Sequence, residues 1–344
     1  MCSLHSLNMA FLFAISFQNH FCWICLSCYR EHGHKKDYLL MINTSTNLKF
    51  NQFNSWIKLL RISHWVKNLL VFFPVTFAGK LFNLTDFSNA LLAFLCFSLA
   101  SSSVYIFNDI RDAKADKTHP TKKHRPLASG DISLRSAIVV SVFLLVCATT
   151  FSFIPVSSWA TITLFFYIAL NVGYSLGLKN VPIVDIAILA SGFVLRVIFG
   201  GIYCEIPISL WLFLTILSFA TYFACGKRNG ELLSHGATSR KTLELYTSSF
   251  LKQGMNVSLA IGLVFYSLWS YESVSQYTTF VSVSSLSVVL GVPLVMLICF
   301  RYNYILTCTN SDGDPVDILL HDKALVALLA CWIATICCSI YMLG

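Results

Sequence analysis

Residues 87–116 read FSNALLAFLCFSLASSSVYIFNDIRDAKAD. The uncharged part, 87–107, is long enough to cross the ~30 Å hydrocarbon core of a bilayer as a helix. It then breaks into Asn108, Asp109, Asp112 and Asp116, with Arg111 and Lys114 between them. If the helix continues, the three aspartates fall within an arc of roughly 60°. Three carboxylates on one face repel one another and have no reason to gather for stability alone. A divalent cation gives them one, because Mg²⁺ takes few carboxylates and shares its remaining positions with water and substrate phosphates. The competing reading is a solvated helix end balanced by basic neighbours. The position of the cluster at the mouth of an apolar span weighs against it.

The rest of the chain repeats the apolar theme. Of 344 residues 56% are hydrophobic and 12% charged, against the ~25% charged expected of a soluble domain. Apolar runs fall at 66–81, 87–107, 134–154, 158–177, 183–203, 208–225, 255–271, 279–300 and 323–342. The expectation is an all-α integral membrane bundle of about nine spans. Pro155, Pro182, Pro207 and Pro315 punctuate or separate the spans, where a missing N–H costs little. Residues 51–344 form the transmembrane domain, and residues 1–50 an extension of unassigned role. Its stretch 9–28 has three readings: an extra span, a signal-like segment, or the product of an upstream start with Met41 as the true one.

Charge distribution excludes one class and orients the chain. The net charge of +8 carries no basic stripe interleaved with stacking aromatics, so nucleic acid is not the partner. Loops after spans two, four and six hold Arg111, Lys114, Lys117, Lys122, Lys123, Arg125, Lys179, Lys227, Arg228, Arg240, Lys241 and Lys252, and Lys58 and Arg61 precede span one. The loops after spans one, three, five and seven hold Lys80 alone. The positive-inside rule puts the rich loops in the cytoplasm, with the C-terminus outside. The expected location is the plasma (inner) membrane. Of thirteen cysteines, Cys96, Cys147, Cys331, Cys337 and Cys338 lie in apolar spans and read as small hydrophobes. Cys22, Cys25 and Cys28, with His20, His32 and His34, match no closed four-ligand zinc spacing.

Residues 108–116 resemble the NDxxDxxxD motif of the UbiA superfamily, a nine-helix membrane fold. The wider stretch NDIRDAKADKTHPTKKHRPLASGDIS looks like one branch, the decaprenyl-phosphate phosphoribosyltransferases. RISHWVKNLLVFFP (61–74), YSLGLKNVPIVDIAILASGFVLRVIFGG (174–201), GKRNGELL with SRKTLELYTSSFL (226–251) and GDPVDILLHDKAL (313–325) are similar to the same branch. The similarity covers roughly 55–342. Family members that prenylate aromatic rings carry a second aspartate-rich motif. Here KNVPIVD at 179–185 contains one carboxylate, Asp185, and Lys179 adds a phosphate-seeking cation.

The resemblance implies transfer of 5-phosphoribosyl from 5-phosphoribose 1-diphosphate to a polyprenyl phosphate, releasing pyrophosphate, to supply sugars for envelope glycans. Asp109, Asp112 and Asp116 would hold Mg²⁺, with Asn108 beside them. Lys179, Lys227, Arg228, Arg240 and Lys241 would bind donor phosphates, while Lys67 or Arg196 would orient the lipid phosphate. Tyr174, Asp185 and Glu231 complete the expected substrate contacts.

Several residues keep two readings. Lys122 and Arg125, in a turn held by Pro120 and Pro126, clamp phosphate or enforce topology. Arg196, deep in span five, is structural or phosphate-binding, since a buried intramembrane Arg usually faces a cavity or partner. Lys67 is an interfacial anchor or a phosphate ligand; Arg301 and Tyr302 share those readings, with anchoring ahead. An aromatic polyprenyltransferase of the same fold is the alternative enzyme. A lipid transporter, with polar residues spread through the midplane, ranks below both.

Overall fold

The computed structural model describes residues 52–118, 122–154, 157–236, 242–275, 283–309 and 311–341, and all regular structure among them is helical. The chain divides at Ile57/Lys58, and the second unit, Lys58–Gly344, carries the apolar spans. The Cys/His cluster of the extension lies outside the described residues.

Among the described residues, seven helices are long and apolar enough to cross a bilayer: α1 (Leu84–Asp116), α2 (Leu134–Ser152), α3 (Trp159–Leu176), α4 (Val184–Tyr203), α5 (Leu210–His235), α7 (Val283–Cys308) and α9 (Lys323–Tyr341). Between α5 and α7 runs α6 (Ser248–Ser275), and the short α8 (Pro315–His321) precedes α9. The first expected span takes another form. Ile62–Phe72 is a 3₁₀ helix that passes into one α turn, Phe73–Phe77. The tighter winding rises about 2.0 Å per residue, so this short stretch still covers about 30 Å.

Burial separates inner helices from outer ones. In α1 and α4, 61% of the membrane window is buried within the protein, against 11% in α2 and α9. The outer helices present apolar faces such as Val139, Phe143 and Val146, which suits lipid. Helix α4 joins two cores. On one side Val71, Phe97, Leu164, Tyr167 and Phe199 pack together. On the other, Ile186 and Val194 meet Tyr222, Met255 and Tyr302. The serine run of α1 has a purpose here. Asn68 donates to Ser98 and Ser101 at 2.9 and 3.2 Å, Trp65 to Ser102 at 2.9 Å, and Ser103 to the Ser141 carbonyl of α2 at 2.8 Å. Small hydroxyls let neighbouring backbones come close while satisfying buried polar groups.

Candidate active site

Helix α1, about 50 Å long by its residue count, outruns the hydrocarbon core. Its last turns carry Asn108–Asp116 to the end of the bundle where the opening 3₁₀ helix begins and α5 finishes. A cavity of about 700 Å³ opens there, within the size range of small-molecule sites. Its wall includes Arg61 and Lys67 from the opening segment, Tyr105 and Asn108 from α1, and Lys122 and Arg125 from the basic turn. Tyr167, Tyr174, Arg196, Lys227, Arg228 and Glu231 add the α3, α4 and α5 sides.

The helix does continue through the acidic motif. Each carboxylate is met by a cation. Arg61 donates to Asp109 at 2.6 Å, and Arg125 bridges Asp109 and Asp116 at 3.2 and 2.8 Å. Lys179 approaches Asp112 at 3.4 Å. Arg125 therefore does something neither of its expected roles covered, tying two turns of the acidic face together. Among the described residues no three carboxylates converge as a ready cage. The donor set nevertheless suits a hard cation, being all oxygen, with Asn108 one turn before Asp112. Asp112, whose side chain is 28% exposed, is the most open of the three. Mg²⁺ commonly needs only one or two protein carboxylates beside substrate phosphates.

Asp185 corrects an expectation. Its side chain is fully buried and stands off the cavity wall, accepting from Arg228 Nε at 2.6 Å and from the Tyr246 hydroxyl at 2.6 Å. Arg228, itself 1% exposed, reaches Glu231 at 2.5 Å through Nη1 and the Tyr174 hydroxyl at 2.7 Å through Nη2. Burial, with the bond to Asp185, pushes the Tyr246 phenol above its ordinary range, so it stays a donor. Asp185 thus aims Arg228, and Arg228 aims Tyr174 and Glu231. The turn that brings Asp185 inward is unusual, since Ile183 has a φ of 68°.

Lys67 and Lys227, expected to serve different substrates, converge on one carboxylate. Asp314 Oδ2 accepts from Lys67 at 2.8 Å and from Lys227 at 2.9 Å. Burial alone would raise the Asp314 carboxyl, but the two ammonium groups outweigh it and hold it well below the usual carboxylate range. Glycines bring its loop this near. A Cβ on Gly230 of α5 would lie 2.5 Å from the Gly313 nitrogen, and Gly313 has a φ of 74°. Tyr302 donates to the Gly313 carbonyl at 2.8 Å. It is buried, not an interfacial anchor; its neighbour Arg301 pairs with Asp322 at 2.7 Å.

Arg196 lies at the inner end of the cavity with neutral partners. Nε donates to Asn68 at 2.7 Å, Nη1 to the Gly192 carbonyl and Nη2 to Tyr167 at 3.5 Å. Its guanidinium carbon lies 5.0 Å from the centre of the Phe97 ring, a stacking contact that suits Arg.

The structure thus brings nine expected residues to one wall: Lys67, Asn108, Lys122, Arg125, Tyr174, Arg196, Lys227, Arg228 and Glu231. Asp109 and Asp116 are joined to that wall through Arg61 and Arg125, and Asp112 pairs with Lys179. Arg240 and Lys241 lie outside the described residues. Sequence reasoning missed Asp314 and Tyr105 and read Arg61 as a topology charge. GDPVD at 313–317 and RISHW at 61–65 were visible as motifs, but nothing local says what they touch.

These features define a helical membrane-spanning fold with an anion-seeking cavity beside an acidic helix. The sequence model of the UbiA prenyltransferase family matches residues 69–229. A decaprenyl-phosphate phosphoribosyltransferase of Corynebacterium glutamicum is 35% identical over 300 residues, covering 85% of this chain and 89% of that one. The enzyme so named from Mycolicibacterium smegmatis is 35% identical over 302 residues, covering 85% and 94%. The chain belongs to the UbiA prenyltransferase family. A UbiA homologue from Archaeoglobus fulgidus bound to DMAPP and Mg²⁺ superposes with a TM-score of 0.61 over 83% of this chain and 99% of that chain, at 17% identity. That likeness shows the fold.

Proposed function

We propose that this protein is a Mg²⁺-dependent polyprenyl-phosphate phosphoribosyltransferase. It transfers 5-phosphoribosyl from 5-phosphoribose 1-diphosphate to a polyprenyl phosphate and releases pyrophosphate. The two relatives of 35% identity are named decaprenyl-phosphate phosphoribosyltransferases, which supports phosphoribosyl transfer to a polyprenyl phosphate. One observation carries the reading on this chain's own residues: the cavity wall gathers Arg61, Lys67, Lys122, Arg125 and Lys227 immediately beside the acidic turns of α1. Such a wall suits a ligand with several phosphates.

In this reading the donor's diphosphate lies against Asn108–Asp116, Lys122 and Arg125. Asp109, Asp112 and Asp116, with Asn108, are the residues that would hold Mg²⁺, whose presence supplies charge neutralisation at the leaving pyrophosphate. As the bond from the anomeric carbon to the diphosphate oxygen breaks, its electron pair leaves with pyrophosphate. A lipid phosphate oxygen forms the new bond to that carbon. The acceptor is already an anion, so no strong general base is required. Arg196, charged and with neutral partners, suits the lipid phosphate approaching from the bilayer side. Glu231 and Tyr174, fixed by Arg228, face the sugar. The active-site end lies in the cytoplasm, where the water-soluble donor is found.

An aromatic prenyltransferase is the weaker reading. 4-Hydroxybenzoate octaprenyltransferase of Legionella pneumophila strain Corby is 32% identical over 98 residues, 28% of this chain. The lone carboxylate of 179–185 has both oxygens engaged inside the protein.

The test is transfer of radiolabelled 5-phosphoribose 1-diphosphate onto polyprenyl phosphate by membranes containing the protein, with and without Mg²⁺, alongside Asp112→Ala. Labelled lipid that needs both Mg²⁺ and Asp112 is the expected result. No labelled lipid, with prenylation of an aromatic acid instead, would replace the proposal with the second reading.

A further inference from the structure

Asp314 has no part in the reaction described above, yet it is buried against the cavity wall and joins two of its lysines. One carboxylate oxygen, Oδ2, accepts from both Lys67 and Lys227, which places the two ammonium nitrogens within about 6 Å of each other. The other oxygen, Oδ1, accepts from the Val316 backbone N–H at 3.0 Å and so caps α8. The loop is fixed without help from the lysines, by the Tyr302 hydroxyl on the Gly313 carbonyl and by the tight Gly230–Gly313 approach.

Two like charges at that separation repel, and each sits on a flexible four-carbon stem. Their convergence therefore needs an anion between or beside them. Each lysine carries three N–H donors, and Asp314 engages one from each. The remaining donors stay available on the cavity side, where both lysines line the wall. A pair of ammonium groups at this spacing can bond separate oxygens of a single phosphate group, and a carboxylate tether removes the disorder they would otherwise lose on binding.

We propose that Asp314 is a positioning residue that holds Lys67 and Lys227 together as a clamp for one phosphate group of a substrate. The inference rests on the phosphoribosyltransferase reading for the identity of the substrates. The phosphate belongs to the donor or to the lipid, and the arms of the experiment separate these sources. A simple charge argument predicts the opposite outcome. Removing a carboxylate makes the wall more positive and should tighten phosphate binding. The same holds if Asp314 merely fills the phosphate position until substrate displaces it.

The experiment compares purified wild type with Asp314→Asn, measuring KM separately for 5-phosphoribose 1-diphosphate and for polyprenyl phosphate. A clamp held by Asp314 predicts a KM raised about tenfold, as for loss of one charge-assisted contact. This should occur for one substrate only, with kcat nearly kept, and that substrate identifies the phosphate. Lys67→Ala should raise the same KM, and adding Asp314→Asn to it should change little more. A KM that is unchanged or lowered in Asp314→Asn overturns the proposal, as does full additivity with Lys67→Ala. If wild type transfers nothing, the functional reading fails. Direct binding of pyrophosphate and of polyprenyl phosphate then decides the clamp, with equal affinities in wild type and Asp314→Asn overturning it. Should Asp314→Asn not fold, Asp314→Glu answers by the same readings, since the longer arm keeps the charge but shifts the lysines.

Discussion

Arg228 commits its whole guanidinium fork inside the protein, to Asp185, Glu231 and Tyr174. A lysine supplies one ammonium and cannot span three partners set around a planar fork. Arg228→Lys should therefore leave Asp185 buried and poorly matched. Breaking such a pair costs about 3–5 kcal/mol, to be read as a lower melting temperature in detergent together with lost transfer. A variant that melts with wild type would show that Asp185 is content with Tyr246 alone. Asp314 supports a second prediction, this time in pH. Its carboxyl is held well below its ordinary value because Lys227 and Lys67 outweigh the effect of burial. A depressed carboxylate stabilises the fold fully above its unfolded pKa of about 3.9, and that contribution is lost as pH falls through the folded value. The melting temperature of wild type should exceed that of Asp314→Asn by a constant margin from pH 7 to pH 5. The margin should shrink below about pH 4. A margin that collapses already between pH 7 and pH 5 would contradict the ion trio.

At the scale of elements, the opening span shows what the sequence could and could not reveal. Apolar run length marked a crossing at 66–81, and the structure places helical residues from Ile62 to Phe77. The 3₁₀ winding was not legible, because hydrophobicity reports an apolar run without choosing between two tight helical forms. The segment is, however, closely fitted to its neighbour. A Cβ on Gly200 of α4 would stand 2.1 Å from the Val71 carbonyl oxygen, so the segment lies directly on α4 backbone. Gly200→Ala should push these elements apart and cost about 1–3 kcal/mol as overpacking, measured by thermal unfolding. Full stability in that variant would mean that the contact relaxes freely. The acidic helix was legible for the opposite reason. Asp109, Asp112 and Asp116 are near in sequence, and helical periodicity alone places them on one face. Lys67 and Asp314 are far apart in the chain, and only tertiary packing brings them together. Asp185 looked available because a lone carboxylate after a basic turn reads as exposed. Its burial depends on Arg228 and Tyr246, contributed by two later segments.

Over the whole molecule, the loops at one end of the bundle collect the basic charge and the opposite loops are nearly bare of it. Arg61, Lys122, Arg125, Lys179, Lys227 and Arg228 surround the cavity end, whereas Lys80 stands alone among the opposite loops' basic residues. Two demands select the same asymmetry. Phosphate binding needs cations at the mouth, and insertion places Lys- and Arg-rich loops in the cytoplasm. A donor made in the cytoplasm and an acceptor anchored in lipid can meet only where both demands are satisfied together. The arrangement predicts a definite topology. Alkaline phosphatase, which is active only outside the cytoplasm, should be inactive when fused after Gly130, between α1 and α2, and active when fused after Ser157, between α2 and α3. Green fluorescent protein at the same positions should give the reverse pattern. If the Gly130 fusion were the active one, the cavity would open away from the cytoplasm. The donor could then no longer be drawn from the cytoplasmic pool, and the proposed reaction would lose its substrate supply.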